Sequence, residues 1–196
     1  MNRVIIFEGI DGCGKSTQAG ILRSDLNARG FVAEVFKPNA TGLKYYITND
    51  DFETTDLAYM LARSYMINQE VIPHLDEGPA HIAIIDRFVM SHLVYVQSEI
   101  NDDLISRITY PFEKLEFDPL TIILDLEPET AFLRSTKDIF WETNLEDYVY
   151  RQERYNQLAS QRDNVVQLHV SPKEDRFDVH RRILKEVLFE SEVQLL

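Results

Sequence analysis

Only one cysteine occurs in the 196 residues, Cys13, so no internal disulfide can form and the fold must rest on a packed core. Seven glycines and seven prolines are too few for a collagen-like or low-complexity chain. No apolar run approaches the roughly 18 residues of a membrane-spanning helix. The apolar start MNRVIIF is broken at Glu8, too early for a secretory leader, so the expectation is a cytoplasmic protein with no membrane partner. Basic residues are scarce as well, 20 against 33 acidic ones, for a formal net charge of −13. A polynucleotide partner needs a basic stripe, and the densest basic pair is Arg181-Arg182, so DNA and RNA are discounted. A small phosphate compound is not, because a few focused donors and backbone N–H groups can hold it against an acidic exterior.

What is present is an ordinary globular composition, 44% hydrophobic and 27% charged, in a length that suits one domain over residues 1–196. The apolar runs Val4–Phe7, Phe31–Phe36, Ile82–Ile85, Leu120–Leu126 and Val165–Val170 read as five strands. Between them lie helical patterns. Ser16–Arg29 repeats Ala19, Leu22 and Leu26 and stops at Gly30. Asp56–Asp76 carries a stripe of Leu57, Leu61 and Ser64, with Pro73 expected to kink or end it. Glu129–Arg134 and Leu145–Gln161 flank an exposed connection, about 135–144, that contains Lys137, Phe140 and Trp141. That connection reads either as a surface loop with an anchoring tryptophan or as a lid over a ligand. The last helix is signalled by a Ser171/Glu174 capping box with Pro172 at its first position, then Phe177, Ile183, Leu184, Val187 and Leu188. Such alternation implies an α/β fold, a five-stranded, mostly parallel sheet with helices on both faces.

The chemistry lies in Gly9-Ile10-Asp11-Gly12-Cys13-Gly14-Lys15-Ser16, which satisfies G-x-x-x-x-G-K-[ST] between an apolar strand and an amphipathic helix. Gly9, Gly12 and Gly14 let the backbone wrap around phosphate oxygens, and the N–H groups through Thr17 add positive potential. Lys15 would bridge the β and γ phosphates, and Ser16 would ligate Mg²⁺. Cys13, at a helix N-terminus, is expected to have a lowered pKa and to be shielded from alkylation by bound nucleotide. The chain lacks an Asn-Lys-x-Asp base-reading motif, and its second acidic strand end reads Asp86-Arg87-Phe88-Val89 without a following glycine. Both facts argue against a switch GTPase, and the length favours a small P-loop kinase.

The stretch VIIFEGIDGCGKSTQ, then Tyr59-x-x-x-Arg63, then IIDRF followed by Ser91 and Tyr95, resembles the thymidylate kinase family of P-loop nucleoside monophosphate kinases. The resemblance implies a three-layer P-loop kinase fold with a short lid, and phosphoryl transfer from ATP to dTMP with Mg²⁺. It matches Arg87 to an arginine that grips the acceptor phosphate and Asp11 to a carboxylate near the sugar 3′-hydroxyl. Tyr95 falls beside the deoxyribose, where it helps exclude ribose, and Arg134 falls on adenine. Asp86 becomes a partner either of the Mg²⁺ shell or of Arg87. Tyr59 and Arg63, four residues apart on a helix, face one patch and suit a pyrimidine. Ser91 and His92 lie on the same wall, with His92 where Asn or Thr is common. A homodimer is also implied.

Departures from the family pattern concentrate in two places. The loop after the second strand reads Phe36-Lys37-Pro38-Asn39; Pro38 matches, but the family's phosphate-binding arginine is missing, leaving Lys37 or Lys44 as a point-charge substitute. The P-loop has no arginine, so Lys137, Arg151 or Arg154 is expected to stabilise the transferring phosphoryl group. Two alternatives stand beside dTMP phosphorylation: a nucleoside or modified monophosphate as acceptor, or a nucleotide-binding regulator without turnover.

Overall fold

The computed structural model describes residues 3–38, 52–95, 118–135 and 144–193. Five parallel strands form one sheet: β1 (Val4–Glu8), β2 (Val32–Phe36), β3 (His81–Asp86), β4 (Leu120–Leu126) and β5 (Val165–Val170), in the spatial order β2-β3-β1-β4-β5. The expected "mostly parallel" sheet is therefore wholly parallel. Its helices among the described residues are α1 (Lys15–Ala28), α2 (Phe52–Met66), α3 (Ile72–Asp76), α4 (Val89–Tyr95), α5 (Pro128–Ser135), α6 (Leu145–Ala159) and α7 (Arg176–Val193).

Alternation along β1 divides the core. Ile5 and Phe7 join one apolar cluster with Leu22 and Leu26 of α1, Tyr155 of α6 and Ile183 of α7. Val4 and Ile6 join a second with Met60 and Met66 of α2 and Leu75 of α3. Both faces of β1 and β3 are thus covered, as the uninterrupted apolar runs require. Each fully buried Leu, Ile or Phe contributes roughly 1.5–3 kcal/mol of transfer free energy. β1 lies between β3 and β4, so the loops after β1 and β3 open side by side at the carboxyl edge of the sheet, where ligands of open α/β sheets bind.

Three local expectations need correction. Leu61 of the expected α2 stripe is 58% exposed, and the interior face instead carries Ala58, Met60, Arg63 and Met66. The stripe was misphased because Arg63, a buried cation, faces inward. Pro73 does not end its helix. A π-helical turn, Ile67–Val71, precedes it, with the Ile72 N–H donating to the Ile67 carbonyl, and this wider turn accommodates a residue lacking an N–H. The last helix starts at Arg176 rather than Pro172. Ser171 donates its N–H to Glu174 Oε2, but Arg182 holds the same carboxylate and Asp175 takes the Phe177 N–H, so Ser171–Glu174 closes a turn. Phe177, expected inside, is half exposed. At the other helix ends, Gly30 adopts φ 92° after α1, and Asn144 and Asp147 form a complete capping box on α6.

Candidate active site

The phosphate loop joins β1 to α1 through glycines whose backbone no L side chain readily adopts: Gly9 (φ 132°), Gly12 (φ 80°) and Gly14 (φ 104°). Two also lack room. A Cβ on Gly12 would lie 2.3 Å from the Ala131 carbonyl oxygen of α5, and one on Gly9 would lie 2.7 Å from that of Leu124. Gly14 faces open space at the start of α1, where a phosphate would sit against the first N–H groups of the helix. Thr17 follows in the first turn of α1.

Lys15 is buried and turns back over the loop, donating to the Ile10 carbonyl at 2.7 Å and lying 3.5 Å from Cys13 Sγ. Burial, followed by the Arg87 charge, lowers its pKa below the usual lysine value. Cys13 is only 3% exposed, so little of its thiol is open for a bound nucleotide to shield.

At the end of β3, Ser16 Oγ donates to Asp86 Oδ2 at 2.6 Å and Lys37 Nζ lies 3.1 Å from the same oxygen. Burial pushes the Asp86 carboxyl upward, but the Ser16 hydrogen bond and Lys37 outweigh it, and its pKa is lowered. Oδ1 of Asp86 is buried without a hydrogen bond among the described residues. Of the two partners expected for Asp86, the Mg²⁺ shell and Arg87, the second is not seen: Arg87 turns to Asp11, and Asp86 instead accepts from the P-loop Ser16. Lys37 rests on Asp86, and Pro38 follows it beyond β2.

Arg87 is the densest node. It has φ 75°, the one positive φ outside glycine among the described residues. Its Nη2 donates to Asp11 Oδ1 and lies 3.4 Å from the Tyr95 hydroxyl, while Nη1 donates to Ser91 Oγ at 3.0 Å and to the Gly9 carbonyl at 3.4 Å. Tyr95 in turn donates to Asp11 Oδ2 at 2.8 Å. Burial raises the Asp11 pKa, yet Arg87, Lys15 and the Tyr95 hydrogen bond together bring it below the usual carboxylate value. The Tyr95 ring lies between two cations, with Arg87 Cζ 5.0 Å and Arg151 Cζ 4.5 Å from its centroid. Arg151, from α6, is thus brought to the site, whereas Arg154 bonds Gln157 on the exposed face.

The residues expected to form a pyrimidine wall lie on α2 and α4. Arg63 Cζ lies 5.7 Å from the Tyr59 ring centroid, so the pair does share a patch. Arg63 is 5% exposed, donates to the Phe88 carbonyl at 3.2 Å and lies 3.4 Å from His92 Nδ1. Burial and then the Arg63 charge depress the His92 pKa to about 4, so the imidazole is neutral at physiological pH. Since Arg63 can only donate, Nδ1 is the accepting nitrogen and the ring proton belongs on Nε2. Arg134, at the end of α5, donates to the Pro172 carbonyl at 2.9 Å, beside the turn leading into α7. Lys137 and Lys44 lie outside the described residues, as does most of the expected lid.

Sequence reasoning missed Glu8 and Tyr155. Glu8 ends β1 fully buried; its carboxylate accepts the backbone N–H of Phe88 at 2.9 Å and of Ser91 at 3.1 Å, the Ser91 hydroxyl, and the Tyr155 hydroxyl at 3.2 Å. A charged residue closing an apolar strand against a glycine was the available signal.

The family model for thymidylate kinase matches residues 7–183, which includes every one of these groups. Curated relatives include the thymidylate kinase of Symbiobacterium thermophilum, 32% identical over 96% of this chain and 95% of its own. That of Ureaplasma parvum serovar 3 is 30% identical over 98% and 88%, and that of Caldanaerobacter subterraneus subsp. tengcongensis is 29% identical over 67% and 68%. With the phosphate loop, the Asp86-Arg87 strand end and the helix pair carrying Tyr59 and Ser91 all inside the matched region, this chain belongs to the thymidylate kinase family.

Proposed function

We propose that this chain transfers the γ-phosphoryl group of ATP to dTMP, giving dTDP and ADP. The observation that carries the reading is the adjacency of two anion-binding ends: the glycine loop after β1 and the guanidinium of Arg87 after β3, joined through Asp11. The loop amides, Lys15, Ser16 and Thr17 hold the donor phosphates, and Arg134 packs on adenine. Arg87 takes the acceptor phosphate with help from Lys37 once that side chain leaves Asp86. Asp11 and Tyr95 bound the deoxyribose, Tyr59, Arg63 and His92 bound the base, and Ser91, with its hydroxyl taken up by Arg87 and Glu8, acts behind them through Arg87. The chain works as one domain with residues about 135–144 as its lid, in the cytoplasm and as a homodimer, without nucleic-acid or membrane partners.

Catalysis in this arrangement is positioning plus charge neutralisation, since a loose phosphoryl-transfer transition state asks for little covalent help. Lys15, Arg87 and Arg151 or Lys137 supply cations around the transferring group, and Asp11 restrains Arg87. Mg²⁺ fits the residues present: Ser16 offers a hydroxyl and Asp86 a buried carboxylate with one oxygen still free among the described residues. Mg²⁺ is commonly held by one or two protein oxygens with phosphates and water completing its shell. When bound, it would neutralise phosphate charge.

A coupled assay of ADP release across nucleosides and monophosphates tests the reading. Turnover on dTMP with Mg²⁺ is expected. Phosphorylation of thymidine but not dTMP would replace it with a nucleoside kinase, and nucleotide binding without turnover on any acceptor would replace it with a regulator.

A further inference from the structure

Arg87 sits in a backbone conformation that an arginine does not adopt unaided, so something must impose it. The two amides that bracket its Cα are both anchored on β1. Its own N–H donates to the Phe7 carbonyl at 3.0 Å, and the next N–H, of Phe88, donates to Glu8 Oε1 at 2.9 Å. Consecutive residues of one strand thus hold the turn on either side of φ 75°. The Ser91 N–H, accepted by the same oxygen at 3.1 Å, fixes the first turn of α4 to it.

The other carboxylate oxygen controls the side chain. A guanidinium can only donate, so Ser91 Oγ accepts from Arg87 Nη1 and must send its one proton elsewhere. It sends it to Glu8 Oε2. The Tyr155 hydroxyl, 3.2 Å from that oxygen and 2.9 Å from Ser91 Oγ, also faces the carboxylate. Burial first, and then Glu8, raise the Tyr155 pKa, which keeps it a donor. Tyr155 stands one turn beyond Arg151 on α6, the helix that follows the expected lid.

Resting on the reading of Arg87 as the acceptor-phosphate residue, we propose that Glu8 is its positioning residue, setting its backbone through the Phe88 amide and its rotamer through Ser91, and tying both to α6 through Tyr155. A fully buried carboxylate is costly to keep, and capping a seven-residue helix does not by itself require one.

Steady-state kinetics on the full chain test this with three variants. Glu8→Gln keeps an acceptor for the two amides but puts an N–H₂ where Ser91 and Tyr155 donate. Ser91→Ala leaves the amide cap intact and cuts the link to Nη1. Arg87→Lys is the control for the site itself. Each is expected to raise the acceptor KM by about tenfold or more while the ATP KM stays within about twofold and the melting temperature holds within a few degrees. The double variant at 8 and 91 should be no worse than the poorer single one, because both break one chain. An acceptor KM unmoved by Glu8→Gln and Ser91→Ala, with Arg87→Lys impaired, overturns the inference alone. So does a parallel loss of both substrates with a lowered melting temperature, the mark of a merely structural residue. If Glu8→Gln fails to fold, Ser91→Ala decides. An acceptor KM unmoved by Arg87→Lys overturns the underlying assignment instead.

Discussion

The two halves of the site are built on different principles. On the acceptor half, side chains hold side chains: Arg87, Asp11, Tyr95, Ser91, Glu8 and Tyr155 are mutually bonded before any ligand is considered. On the donor half the backbone is set by three glycines, but the side chains lean on substitutes. Lys15 donates to the Ile10 carbonyl, and Ser16 to Asp86. On the proposed assignment the acceptor meets a cation whose donors are already bonded, while the donor has to displace the Lys15 and Ser16 hydrogen bonds as it binds. Preorganisation by side chains confers selectivity, and preorganisation by main chain confers affinity for phosphate whatever base is attached.

The largest effect that sharpens this contrast is expected at Lys15. Lys15→Met should lower kcat/KM for ATP by roughly 10²–10³, the scale of removing one preorganised donor, while acceptor binding measured by calorimetry is retained. Simultaneous loss of acceptor binding would dissolve the division into halves. Next come the candidates that bridge them. Arg151→Ala and Lys137→Ala are each expected to reduce kcat by about tenfold with little change in the ATP KM, as for a contact made in the transition state. A variant with unchanged kcat leaves the mechanism, and the contact passes to the other residue.

The last effect concerns stability on the acceptor half and leaves turnover at neutral pH untouched. With a folded pKa of about 4 against an ordinary 6.5, His92 binds fewer protons folded than unfolded. Its contribution is fully present above pH 6.5 and is lost as pH falls toward 4, by on the order of 3 kcal/mol at most. Asp11 and Asp86, whose pKa values lie below 3.8, lose their contribution only at still lower pH. Thermal melts should therefore decline between pH 6.5 and 4 in the parent chain and flatten in His92→Gln. An unaltered slope would place the titration elsewhere.

What could be read from the amino-acid order was whatever is encoded locally. The glycine loop, Asp86-Arg87 and the strands β4 and β5 need only neighbours within a few positions, and each appears where spacing put it. Tyr59 and Arg63 were legible for the same reason, being one helical turn apart. Glu8 and Tyr155 meet across 147 positions, and no periodicity reports such a meeting. The α2 stripe failed for a related cause. A hydrophobic pattern cannot foresee that a guanidinium will take an interior place by bonding the Phe88 carbonyl, leaving Leu61 outside.

The left-handed backbone at Arg87 sets selection for heat resistance against selection for turnover. A non-glycine residue there costs roughly 1–2 kcal/mol of stability, which glycine would recover while removing the guanidinium. Variants chosen for durability alone should drift toward glycine or asparagine at that position and fall silent as enzymes.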